Sequence, residues 1–206
     1  MAGLFVAVEG PEGAGKTTLV ARLAARLRSG GHDVLVAREP GGTETAEAAR
    51  RLVLDPAMAW ESAAELFLIL TARAELVAKA LDPALRAGAV VLCDRYDLST
   101  RAYQIAGRGL PEGEVLAANR LATGGLEPAL TLVLDLEPAE GRKRQAAQGK
   151  APDRMEQADA AMHERVAAAF REASGPGVVH LDASRSIDEV TAAAWAAVEA
   201  LLRGAG

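Results

Sequence analysis

The hydrophobic positions of this chain fall into two alternating patterns. Residues 4–8, Leu-Phe-Val-Ala-Val, form an unbroken apolar run, as expected of a strand covered on both faces. After a glycine-rich turn the period lengthens. Leu19, Leu23 and Leu27 recur every four residues with Val20 and Ala24 beside them, which predicts a helix from Lys16 with one buried face. Gly30 and Gly31 end it, and residues 32–37 return to the strand pattern. Residues 89–93, 130–136 and 178–181 repeat the strand signal. Helical stretches separate them, including residues 61–85 and a last helix over about 187–202, where Ser186 and Glu189 are spaced as a capping box. Five strands alternating with helices predict one α/β domain over residues 1–206, built on a parallel sheet flanked by helices.

Composition agrees with that picture and narrows it. Half of the 206 residues are hydrophobic and only 3% aromatic, so Ala, Leu and Val must fill the core. The net charge of -5, with no long run of Lys and Arg, argues against a polymeric nucleic-acid partner, although a local arginine cluster can still hold a small phosphorylated molecule. Cys93 is the only cysteine, which rules out an intrachain disulfide or a cysteine-rich metal site and reads as a small buried residue. His32, His163 and His180 show no metal-ligand spacing. The start of the chain lacks the marks of a secretory signal and no apolar stretch reaches membrane-spanning length, so a soluble cytoplasmic protein is expected.

The turn after the first strand carries the chemistry. Gly10-Pro11-Glu12-Gly13-Ala14-Gly15-Lys16-Thr17 satisfies G-x-x-x-x-G-K-[ST] between a predicted strand and a predicted helix, with Thr18 next in line. Such a loop turns backbone N–H groups toward phosphate oxygens at the positive end of the helix. Lys16 supplies a cation for the β and γ phosphates, and the Thr17 hydroxyl suits a magnesium ion. Binding of ATP or GTP follows. No N-K-x-D segment is present to read guanine.

Two further stretches fall at predicted carboxyl ends of strands, where open α/β sheets bind ligands: Arg38-Glu39-Pro40-Gly41-Gly42-Thr43, and Asp94-Arg95-Tyr96 followed by Ser99, Thr100, Ala102, Tyr103 and Gln104. Together with Glu12, Asp153-Arg154 and Leu181-Asp182-Ala183-Ser184, their order and spacing resemble the thymidylate kinases over essentially the whole chain. The resemblance implies a P-loop, nucleoside monophosphate kinase-like fold and transfer of a phosphoryl group from magnesium-ATP to dTMP. It implies that Asp94 helps hold the metal and Arg95 the dTMP phosphate, that Glu12 lies near the sugar 3′-hydroxyl, and that Arg73 bonds thymine O4. Thr100 and Gln104 are then candidates for the base edge, Tyr103 for the sugar, with Ser99 and Glu39 beside them and Pro40 and Leu52 as apolar walls. Ile69, one turn before Arg73, stands where the family usually stacks an aromatic ring; Phe67 lies on another face. A kinase for another nucleoside monophosphate, or a nucleotide-binding regulatory protein, remains the alternative.

Residues 141–154 mix glycine, proline and charge and are expected to form a mobile lid that excludes water from the transfer step. The phosphate loop has no arginine at positions 11, 12 or 14, which resembles the bacterial kinases whose catalytic cation comes from the lid. Arg154, anchored beside Asp153, is the first candidate, then Arg144 and Lys150. A helix is expected from near Glu156. Gln148 replaces a common lid arginine, and Phe170 a common tyrosine. Asp182, Ala183 and Ser184 resemble the adenine-side loop. The family resemblance also implies a homodimer packed through helices beside the sheet.

Overall fold

The fold is that of a computed structural model, which describes residues 3–147, 149 and 153–204. Five parallel strands form one sheet in the order β2-β3-β1-β4-β5: β1 Leu4–Glu9, β2 Val34–Arg38, β3 Val90–Asp94, β4 Leu130–Asp135 and β5 Val178–Asp182. The central strand is the first apolar run of the sequence, and Phe5 to Val8 are almost fully buried. Burial on both faces removes any need for alternation.

Helices α1 (Lys16–Ser29) and α9 (Ile187–Gly204) cover one face. Leu19, Leu23 and Leu27 meet Val6, Val8, Leu132 and Val190 there. The start of α9 is fixed as its sequence indicates: the Ser186 hydroxyl accepts the Glu189 N–H while Glu189 Oε2 accepts the Ser186 N–H. The other face is covered by α3 (Ser62–Leu76), which runs through a wider π-helical stretch, Val77–Leu81, into α4 (Asp82–Arg86). A second π-helical stretch, Arg101–Gly107, continues α5 (Asp97–Thr100). Helices α2 (Glu44–Leu54) and α6 (Glu112–Thr123) complete the flank toward the carboxyl ends of β2 and β3.

Two expectations change near the lid. Residues 141–147 belong to a helix, α7 (Pro138–Ala147), and α8 spans Ala160–Arg171 instead of starting near Glu156, because Asp159 caps it through Met162 N–H. The reason α7 sits where it does is a backbone contact. A Cβ on Gly141 would come within 2.3 Å of Glu12 O, and one on Gly13 within 2.3 Å of Gly141 O, so only two glycines allow helix and phosphate loop to lie this close.

Gly141→Ala should therefore lower stability by about 1–3 kcal/mol even though alanine is the better helix former. Gly113→Ala, in α6 with open space around it, should raise stability by about 0.5–1 kcal/mol. Urea denaturation of both variants reads the opposite signs; two gains would dismiss the backbone contact as a constraint.

Candidate active site

A cavity of about 1010 Å³ opens at the carboxyl ends of β1, β2 and β3, beneath α7. Its floor is the phosphate loop: Glu12 to Thr18 line it, while Gly10 and Pro11 lie behind. Lys16 is buried and folded back, its Nζ donating to Gly10 O at 3.0 Å and Pro11 O at 2.7 Å. Burial, reinforced by the nearby Arg95, lowers the Lys16 pKa to about 7. Thr17 Oγ1 donates to Asp94 Oδ2 at 2.5 Å. The structure thus brings the two candidate metal ligands together, and a hydroxyl and a carboxylate are the hard oxygen donors that magnesium takes.

Arg95 crosses from the end of β3 to the loop. Its backbone is left-handed (φ 72°), an uncommon state for a residue with a side chain, and the Arg95 N–H to Val8 O bond of 3.0 Å helps to hold it. Nη1 donates to Gly10 O and Ser99 Oγ, each at 3.1 Å, and Nη2 to Tyr103 Oη at 3.2 Å. Tyr103 in turn donates to Glu12 Oε1 at 3.0 Å. Burial pushes the Tyr103 hydroxyl above its ordinary range, which keeps it a donor. The predicted set Glu12, Arg95, Ser99 and Tyr103 is one bonded cluster.

Three members of this region carry no role assigned from the sequence, although Arg38 opens a stretch singled out there. Glu9, fully buried at the end of β1, accepts from Tyr96 N–H, Ser99 N–H and Ser99 Oγ, and burial raises its pKa. Arg38 and Arg50 line the cavity, Arg38 held by Glu47 at 2.9 Å and Arg50 donating to Pro40 O at 2.6 Å. The available signal was a pair of cations flanking Glu39-Pro40-Gly41-Gly42-Thr43, one on β2 and one on α2.

The far wall is organised by Arg73, 1% exposed. All five of its N–H groups are committed: Nε and one on Nη2 to Glu39 Oε2, the other on Nη2 to Tyr96 O, and those on Nη1 to Thr100 Oγ1 and Asn119 Oδ1. A bond from Arg73 to a base oxygen therefore requires exchange of one acceptor, and Thr100 is the one of these side chains that shares the cavity wall with Arg73 and Glu39. Glu39 keeps Oε1 without a partner; burial raises its pKa and the Arg73 guanidinium opposes this. Ile69, Pro40 and Gln104 line the cavity as well. Leu52 does not: it is 43% exposed, and its neighbours Val53 and Leu54 form the apolar wall. Phe67 is 62% exposed and points elsewhere.

The lid candidates separate. Arg144, on α7, lines the cavity and donates to Ala183 O at 3.0 Å, joining the lid helix to the loop after β5. Arg154 is not anchored by Asp153. It donates to Val53 O at 2.7 Å and to Glu65 Oε2 at 2.6 Å, which holds it away from the phosphate loop and outside the cavity lining. The Asp153 carboxylate instead accepts from Met155 and Glu156 N–H. Lys150 and Gln148 lie outside the described residues. Ala183 lines the cavity, whereas Asp182 and Ser184 close a turn beside it through Asp182 Oδ1. Phe170 packs in the core against Tyr103. Among the described residues no cluster of His, Cys, Asp and Glu could hold a metal on its own, and no helix is long and apolar enough to cross a membrane.

A parallel sheet in this order, a phosphate loop after its central strand and an arginine-lined cavity beside it fit the P-loop nucleoside monophosphate kinase class. Comparison with known proteins narrows the class. A family model described as thymidylate kinase matches residues 8–194. A thymidylate kinase of Deinococcus radiodurans is 51% identical over 95% of this chain and 96% of its own length. Another from Cereibacter sphaeroides is 49% identical over 97% and 96%, and one from Caulobacter vibrioides 44% identical over 93% of each. The chain belongs to the thymidylate kinase family.

The geometry around Lys16 predicts proton uptake. Its folded pKa of about 7 lies below the ordinary 10.5, so in the ligand-free protein this group makes stability rise with pH between those values. A bound polyphosphate restores the charged form. At pH 8 the chain should take up protons on binding ATP, up to about one per site, read from calorimetric heats in buffers of different ionisation enthalpy. No uptake, or equal uptake by Lys16→Met, would remove Lys16 as the source.

Proposed function

We propose that this chain transfers the γ-phosphate of ATP to dTMP, giving dTDP and ADP, inside the cavity between the phosphate loop and Arg73. The observation that carries the reading is the bonded cluster Gly10, Arg95, Tyr103 and Glu12, which ties the triphosphate site to an acceptor site on the same wall. An oxygen of the dTMP phosphate attacks the γ-phosphorus, and the bond to the β,γ-bridging oxygen breaks. Both partners are polyanions, so the chain must supply positive charge in fixed positions.

Lys16 leaves the carbonyls of Gly10 and Pro11 for the β and γ phosphates, and the loop N–H groups from Gly13 to Thr18 hold the rest. Arg95, with Arg38 and Arg50 beside it, holds the acceptor phosphate in line. Thr17 and Asp94 hold magnesium, which neutralises phosphate charge when bound. Glu12 accepts the 3′-hydroxyl while Tyr103 lies against the sugar. Ile69 and Pro40 cover thymine, and Thr100 and Gln104 face its edge. Ser99 and Glu39 position Arg95 and Arg73. Arg144 is the lid cation best placed for the triphosphate, because it already sits in the cavity beside Ala183. Lys150 is a second candidate cation from the lid segment 141–154, whereas Arg154 would first have to leave Val53 O and Glu65, and Ala183, flanked by Asp182 and Ser184, meets the adenine.

Two copies pair through α3 and α6. These helices pack on each other through Leu66, Leu70 and Val115, yet leave Phe67 62% and Leu121 87% exposed on the outside. The family membership favours the cytoplasm as the place where the enzyme works.

With magnesium-ATP fixed, dTMP should be turned over faster than dCMP, dGMP or AMP, and Arg95→Ala should lower kcat/KM for dTMP by about 10²–10³-fold. Faster turnover of another monophosphate would overturn the reading. Sedimentation equilibrium should give a dimer that Leu121→Asp weakens at least tenfold; a monomer at micromolar concentration would refute the pairing.

A further inference from the structure

Glu65 lies on α3, fully buried and outside the cavity lining, yet it reaches the wall that faces the base. Its Oε1 accepts from Gln104 Nε2 at 3.0 Å and Arg108 Nε at 3.1 Å. Its Oε2 accepts from Arg108 Nη2 at 2.8 Å and Arg154 Nη2 at 2.6 Å. Burial alone would raise its pKa, but the bonds from Arg108, Gln104 and Arg154 outweigh burial and hold the carboxyl below its ordinary range.

An ionised carboxylate only accepts. The amide of Gln104 can meet it only with its nitrogen end, so the carbonyl end is left for the cavity that Gln104 lines, and no described donor bonds it. One turn earlier, Thr100 accepts from Arg73 and keeps its own hydroxyl proton to give. The wall therefore offers an acceptor at Gln104 and a donor at Thr100, while Arg73 donates to a base only by releasing one of its present acceptors. A pyrimidine with a 4-oxo group and N3–H presents the matching acceptor and donor; a 4-amino pyrimidine with a bare N3 presents the opposite at both places.

We propose that Glu65 is a specificity-determining positioning residue: by accepting from Gln104 Nε2 it fixes the amide whose carbonyl selects thymine over cytosine. The inference rests on the placement of the base against Thr100 and Gln104 given above. With a neutral amide at position 65, which donates as readily as it accepts, Gln104 is free to turn either end inward.

The test is kcat/KM for dTMP, dUMP and dCMP in Glu65→Gln, Glu65→Asp and Gln104→Leu, each checked for folding by circular dichroism. Glu65→Gln should cut the dTMP to dCMP ratio by about 10- to 100-fold, chiefly by admitting dCMP, while dUMP keeps its standing relative to dTMP. Glu65→Asp, still an acceptor only, should keep the wild-type ratio. A purely structural Glu65 would lower every substrate in proportion, and an unchanged ratio in Glu65→Gln, or a collapsed one in Glu65→Asp, overturns the inference. Gln104→Leu separates the two levels: if it leaves the ratio intact, the base does not lie against Gln104. If it collapses the ratio while Glu65→Gln does not, the base placement stands and the role of Glu65 falls.

Discussion

Charge buried at the carboxyl ends of β1, β2 and β3 must be paired within the protein until a ligand arrives, and most of the site follows from that constraint. Glu9, Lys16, Glu39, Glu65 and Arg73 are all nearly inaccessible. An isolated charge in such a place is prohibitively costly, and losing one partner of a buried pair typically costs about 3–5 kcal/mol. The chain answers with shared acceptors: Glu9 serves the turn after β3, Glu39 serves Arg73, and Glu65 joins α3, the π-helical stretch and Arg154 at the end of the lid segment. Lys16 alone is left on two carbonyls, which cannot neutralise it. Its charge is accordingly the least secure of the five, with a pKa lowered by burial to about 7.

These pairings explain why so much of the architecture converges on one cavity. The left-handed Arg95 and the widened helix at Arg101–Gly107 bring Arg95 and Tyr103 to the loop and Gln104 to the far wall. Local distortions of this kind are stable only where surrounding bonds determine them. Here those bonds come from Val8 O, Ser99 and Glu12.

The five strands, α1 and the start of α9 were legible because burial, period and capping residues leave a direct mark on composition. The phosphate loop was legible because its glycines, lysine and threonine must be contiguous. Glu9, Glu65 and Asn119 were not, since each is a single polar residue whose meaning comes from partners far away in the chain; Arg50, on α2, gave no signal of its own. The lid was misjudged for a related reason. Gly141 looked like a flexible point, but within α7 it answers a need for close backbone approach, and only the neighbouring Glu12 reveals it. Arg154 seemed paired with its neighbour in sequence, whereas the stronger partner, Glu65, comes from α3.

Arg73, with every donor already placed, changes how recognition at that wall should be counted. A base carbonyl arriving there exchanges one acceptor for another, so its gain is the small difference between two good bonds, not the worth of a new one. An amino group arriving there finds no acceptor on the guanidinium and gives up its water for nothing. Selectivity at a saturated arginine is thus an account of losses: the correct base is the one for which entering costs least.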